Sequence, residues 1–173
     1  MSKTVLNYIL KFILLVLAQA VIFNNIVLFN VAVAFVFIYL IVAMPVSWHT
    51  NVSLTVGFLA GLIVDIFSDT LGYNALSCTV LTFVRKPVFH LYMQNEEDLG
   101  GLKPCITTMG TASYLKYLVT MVAIYCICFF TVESFEIFNP VLQGLRIVCS
   151  TAFTFILIYA IDSISTRKNE KRL

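Results

Sequence analysis

The feature that most constrains this chain is a succession of apolar runs, each about long enough to cross a bilayer, separated by short polar breaks. A spanning helix needs about 20 mostly apolar residues, because the hydrocarbon core is about 30 Å thick and a helix rises about 1.5 Å per residue. The first run covers residues 4–23 and the second 26–44, with Asn24-Asn25 as a tight polar hinge between them. Pro45 closes the second run, and Trp48-His49-Thr50-Asn51 reads as an interfacial turn with an aromatic anchor. The stretch from Val52 to Val84 is interrupted by Asp65, Asp69 and Gly72, which predicts two helices, over 52–68 and 72–84. The second of these has the option of continuing through Pro87 to Tyr92. A polar segment from Gln94 to Cys105 follows, then a fifth span over 112–131. Asn139-Pro140 predicts the start of the sixth, over 140–161, with Asn as cap and Pro at the first helical position.

The expected fold is therefore an all-α integral membrane protein with six transmembrane helices in one domain, residues 1–162. Residues 85–111 are expected as a cytoplasmic loop and 163–173 as a basic cytoplasmic tail. Only 12% of the residues are charged against 60% hydrophobic, too little charge to cover a soluble domain of this size. Ala18-Gln19-Ala20 has the form of a signal cleavage site, but Lys11 interrupts the apolar stretch before it, so the first helix is expected to be retained.

The positions of the charges favour six spans. With the N-terminus inside, cytoplasmic segments would hold Lys3, Lys11, Arg85, Lys86, Lys103, Lys116, Arg167, Lys168, Lys171 and Arg172. Asp69, Glu133 and Glu136 would lie outside, with Arg146 the one cation near them. That asymmetry follows the positive-inside rule and places both termini in the cytoplasm. A net charge of +2 gives no reason to expect nucleic acid as a partner.

Catalytic and metal-binding patterns are hard to find. Cys78, Cys105, Cys126, Cys128 and Cys149 form no C-x-x-C pair and read as small apolar side chains. His49 and His90 are too few to suggest a metal centre, and neither has an acidic neighbour in sequence. No metal, cofactor or enzymatic activity is expected.

The third predicted helix is more informative. Gly57, Gly61 and Asp65 recur every four residues and share one face, small at one end and acidic at the other. A small-x-x-x-small pair lets another helix approach closely, and a carboxylate inside a span must find a partner. Asp65 is expected as an internal tie and Asp69 as the cap of the next helix; an aspartyl-protease pair would need its carboxylates on separate helices. Arg146 is expected to pair with Asp65 or Glu133, because an isolated guanidinium at that depth is costly.

The segment from Gly57 to Gly72 resembles the G-x-x-x-G-L-x-x-D-x-x-x-x-x-x-G signature of the bacterial rod-shape-determining protein MreD family. Gln19 before Asn24-Asn25-Ile26, the Pro45 break and Phe83-x-Arg85 are also similar to family features. Thr108-Met109-Gly110, Glu133, Phe138-Asn139, Arg146, Ser150 and Thr154 extend the likeness over most of the chain. The resemblance implies a fold similar to the six-helix substrate-binding component of energy-coupling-factor transporters. It also implies a non-enzymatic scaffold of the cell-elongation complex in the bacterial inner membrane, supporting rod shape and lateral peptidoglycan synthesis. MreC would be its direct partner; MreB, RodA and a penicillin-binding transpeptidase would belong to the wider complex, with membrane lipids around it. Gly57, Gly61 and Gly72 would serve helix packing or partner binding, and Asp65, Asp69, Glu133 and Arg146 would be intramembrane polar or ion-pair residues. The alternative is the substrate-binding membrane component of a small-solute, vitamin-type transporter.

Overall fold

A computed structural model describes residues 12, 14–19, 27–28, 32–70, 72–93, 104, 109–134 and 140–170. Residues 14–19 are helical, followed by a two-stranded antiparallel bridge between β1 (Val27–Leu28) and β2 (Ala32–Val33). A 3-10 turn at Val36–Ile38 leads into a single helical turn, α1 (Tyr39–Val42). Four long helices follow: α2 (Thr50–Ser68), α3 (Tyr73–Tyr92), α4 (Thr111–Glu133) and α5 (Pro140–Glu170). Most of the proposed first span, Asn24-Asn25, most of the polar segment 94–105 and Asn139 lie outside the described residues.

Among the described residues, three helices are long and apolar enough to cross a membrane: α2, α4 and the Val141–Ser163 portion of α5. α3 has 20 residues, but Asn74, Ser77, Thr82 and Arg85 are buried along it. Its polarity is turned inward, toward α2 on one side and α4 on the other. The surface carries the opposite composition, with Phe58, Leu62, Ile66, Phe83, Ile127, Val148 and Ile156 all exposed. In water such an apolar surface would drive association; in lipid it is the matching solvent.

The long helices alternate in direction, which gives the bundle two ends. At one, Lys86 Nζ donates to Thr50 Oγ1 at 3.1 Å, and the turn before α2 carries Trp48. At the other, Asp69 and Gly72 turn α2 into α3. Tyr92 shares a hydrogen bond with Thr120 at 3.0 Å, which brings the start of α4 to the Trp48 end. Gln143 donates to the Phe130 carbonyl at 2.7 Å, which brings the start of α5 to the Asp69 end.

The second expected span is not a helix over 26–44. From β2 the chain runs through extended Ala34 and Phe35 before it tightens into the 3-10 turn and α1. Length and apolarity, which marked this stretch as a span, do not distinguish a helix from a buried extended segment. Its wealth of β-branched and aromatic residues (Val31, Val33, Phe35, Val36, Phe37, Ile38) lowers the helical preference. Non-helical backbone is tolerated at membrane depth only where protein surrounds it. That condition is met: from Ala34 to Val42 no residue is more than 8% exposed. The rings of Phe35, Phe37, Tyr125 and Phe129 pack around the segment, with centroids 4.8–5.9 Å apart for the Phe35–Phe129, Phe35–Tyr125 and Phe37–Tyr125 pairs.

The region 85–111 also departs from expectation at its start. α3 continues through Pro87 to Tyr92, so residues 85–92 are helix, not loop. Proline forfeits one backbone bond to the preceding turn, a loss that apolar helices accommodate when neighbours support them. Likewise α5 runs on to Glu170, past the expected end at 161.

Candidate functional site

Most of the buried polar side chains among the described residues gather at two places, where they chiefly serve the backbone. The first is the extended segment. An unwound strand leaves its amides and carbonyls without the i to i−4 partners of a helix, and each one buried unpaired costs about 1–3 kcal/mol. Here side chains supply the partners. Val33 N donates to Ser150 Oγ at 3.0 Å, and Phe35 N donates to Thr154 Oγ1 at 3.1 Å. The match is geometric: two residues of extended chain advance about 6.6 Å and four residues of helix about 6 Å. Alternate residues of the segment therefore meet successive turns of α5.

On its other edge the segment meets Gln19. The Gln19 carboxamide donates through Nε2 to the Ala34 carbonyl at 2.8 Å and accepts at Oε1 from Val36 N at 2.8 Å. A carbonyl at one residue and an amide two residues on is the pair that a neighbouring β-strand would engage. One glutamine thus substitutes for a strand. Lower down, Tyr39 donates its hydroxyl to Asp162 Oδ1 at 2.8 Å. Where α1 ends, Arg85 donates to the carbonyl oxygens of Met44 and Pro45, the latter at 3.1 Å, and Tyr117 donates to the Val42 carbonyl at 3.4 Å. Carbonyls at a helix C-terminus carry partial negative charge, so a guanidinium is well suited to them. Arg85 is 1% exposed, which corrects its placement in a cytoplasmic loop.

The second place is the α2–α3 turn. Asp65 Oδ1 accepts from Asn74 N at 3.0 Å and Asn74 Nδ2 at 2.9 Å, and also from the Thr70 hydroxyl. Its Oδ2 accepts from Ala75 N at 2.8 Å. Asn74 and Ala75 are the second and third residues of α3, whose own N-cap position, Gly72, offers no side chain. The carboxylate of one helix therefore caps the next, meeting two of its orphan amides and the positive end of its dipole. Tyr125 on α4 donates to Asn74 Oδ1, which ties a third helix into the same group.

No family model, curated protein or solved structure matches the chain.

The residues singled out from sequence separate into distinct roles. Gly61 lies against α3 so closely that an added Cβ would be 2.5 Å from both Ala75 Cα and the Asn74 carbonyl oxygen. A Cβ on Gly57 would run into the Thr82 hydroxyl instead. The pair packs α2 on α3, inside the chain. Gly72 packs against nothing: its Cβ position is open, and its use lies in a φ of +86° that L-residues resist. Asp69 is exposed and left-handed, with φ +51°, so it terminates α2 and is not the cap of α3. Arg146 Nη1 stands 3.5 Å from Glu133 Oε1, each side chain 31% exposed, whereas Asp65 belongs to the α3 cap.

Sequence reasoning passed over Asp162, Tyr39, Asn74 and Tyr125, noted Ser150 and Thr154 only through the family resemblance, and noted Gln19 there and in the Ala18-Gln19-Ala20 pattern. One signal was present. Ser150, Thr154, Ile158 and Asp162 recur every four residues, and they are the buried positions among the described side chains of α5. Such a stripe is the sequence mark of a helix with something polar to hold.

Proposed function

We propose that the chain is a non-enzymatic scaffold of the bacterial cell-elongation machinery, of the MreD type, whose task is to bind MreC in the inner membrane. The observation that carries this reading is the engagement of Asp65. The one acid of the Gly57–Gly72 pattern buried within α2 has both carboxylate oxygens occupied by donors of its own chain. A carboxylate so held serves cohesion, and a rigid, lipid-facing bundle offers its surface to neighbours. The six-crossing architecture belongs to the same reading, with the N-terminal segment and residues 32–44 supplying the two crossings beyond α2–α5. A likeness to the substrate-binding component of energy-coupling-factor transporters, and cytoplasmic termini at the Trp48 end, complete it. MreB, RodA and a penicillin-binding transpeptidase would be reached through MreC. The test is co-purification in mild detergent from cells that also make MreC. Stoichiometric recovery of MreC supports the scaffold; a monodisperse, folded protein that never retains MreC overturns it.

The extended segment favours one other reading, a solute-binding component of a vitamin-type transporter. Interrupted helices line the binding sites of many transporters, where unwound backbone meets the substrate. In this chain that backbone is engaged by Gln19, Ser150 and Thr154, which favours the scaffold. Saturable stabilisation of the purified protein by a small water-soluble solute would reverse the preference.

A further inference from the structure

Among the described residues, the two ends of the bundle differ in charge. At the Trp48 end stand Lys86 and Lys116, with exposed His49 and His90, and α5 carries Arg167 and Lys168, followed by Glu170, out beyond the same end. Asp162, the acid at this level of α5, is buried against Tyr39. The Asp69 end presents Asp69 and the Glu133–Arg146 pair.

Depth decides what the cations meet. The apolar portion of α5 ends at Ser163, and the helix continues to Glu170. At about 1.5 Å per residue, Arg167 and Lys168 lie roughly 6–8 Å past the apolar limit. The headgroup layer outside the hydrocarbon is of similar thickness, about 5–8 Å on each side. Lys86 is bound to Thr50, the first residue of α2, just after the turn that holds Trp48, a residue type that settles at this level. The α5 backbone thus carries positions 167 and 168 to headgroup depth on the side where Lys86 and Lys116 stand.

We infer that the Trp48 end is a binding surface for anionic phospholipid headgroups, which it concentrates around the protein through Lys86, Lys116, Arg167 and Lys168. The inference rests on the membrane reading of the chain and adds a lipid class and a leaflet-facing surface to it. Charge complementarity selects the occupant: each cation near a membrane surface adds to the attraction for anionic lipid and adds nothing for a zwitterionic one.

Trp48 is the single tryptophan of the chain and sits at this end, so it is a built-in reporter. The full chain is reconstituted in phosphatidylcholine vesicles containing phosphatidylglycerol, with either lipid brominated in turn to quench Trp48. Brominated phosphatidylglycerol should quench as though locally enriched about fivefold, the equivalent of one well-placed cation. The preference should fall to parity at high salt, and also in the variant Lys86→Gln/Lys116→Gln/Arg167→Gln/Lys168→Gln. Parity in the wild-type protein at low salt overturns the inference, as does a preference that survives both treatments. Absence of quenching by both lipids overturns the membrane reading as well. The salt titration needs no substitution, so the test stands even if the variant misfolds.

Discussion

The Asp65 carboxylate caps a helix it does not belong to, accepting the Ala75 amide at 2.8 Å through one oxygen and the Asn74 amide at 3.0 Å through the other. Asp65 and Ala75 are ten apart in sequence and joined by a turn in which Asp69 and Gly72 both take left-handed backbone angles. Turn and cap depend on each other: the reversal brings the α3 amides to the carboxylate, and the carboxylate holds the reversal closed.

Asp65→Asn should therefore destabilise the protein by about 1–3 kcal/mol. An amide retains one acceptor oxygen, but its NH2 faces a backbone N–H where Oδ2 had accepted. Thermal unfolding in detergent measures the loss. The same experiment on Asp69→Asn should show almost none, since that residue is exposed and asparagine tolerates the left-handed region. Equal melting temperatures for wild type and Asp65→Asn would remove the cap from the account.

The two packing glycines should differ in how much they tolerate. A methyl on Gly61 meets the backbone of Asn74 and Ala75, which cannot move without shifting α3. A methyl on Gly57 meets the end of the Thr82 side chain. Gly61→Ala should cost several-fold more stability than Gly57→Ala, and Thr82→Ala should relieve part of the cost at 57 and none at 61. A double-mutant cycle reads this coupling directly.

How much of this was legible beforehand follows from what a hydropathy pattern records. α2 and α4 were marked within two residues at each end, because a lipid-facing helix is apolar over its whole span. Gly57 and Gly61 announced close packing by spacing alone, and Asp65 announced an internal tie by its cost in lipid. What the pattern lacked was depth and partner. Arg85 had the look of a cation at the inner surface, because its acceptors, the carbonyls of Met44 and Pro45, stand 41 and 40 residues away in sequence. The 26–44 stretch had the look of a helix because burial by protein and immersion in lipid both select apolar residues. Only the i+4 stripe from Ser150 to Asp162 hinted that a neighbouring backbone needed hydrogen bonds, and hydroxyls are too common in membrane helices for that hint to be decisive.

The clasp on the extended segment should weaken in proportion to the bonds removed. Thr154→Val keeps the shape and strands one amide, that of Phe35. Gln19→Leu strands both the Ala34 carbonyl and the Val36 amide, so its cost should be roughly twice as great, with about 1–3 kcal/mol for each group. Hydrogen exchange of the Phe35 and Val36 amides should accelerate selectively: Phe35 in the first variant and Val36 in the second. Unchanged exchange in both would mean that the segment is held by packing alone.

Arg146 and Glu133 make the clearest separation of stability from function. Their 3.5 Å contact, with each side chain 31% exposed, has the geometry of a surface ion pair, for which about 0–1 kcal/mol is usual. Arg146→Gln and Glu133→Gln should each unfold close to the wild type, in contrast to Asp65→Asn. If the pair orients the Asp69 end for MreC, the same two variants should lose rod shape in a complementation assay while remaining folded and abundant in the membrane. The charge-reversed pair Arg146→Glu/Glu133→Arg should restore shape if mutual geometry is what matters, and should fail to do so if MreC reads the sign of each charge. Wild-type shape with both single variants would confine the pair to a minor role in holding α4 to α5.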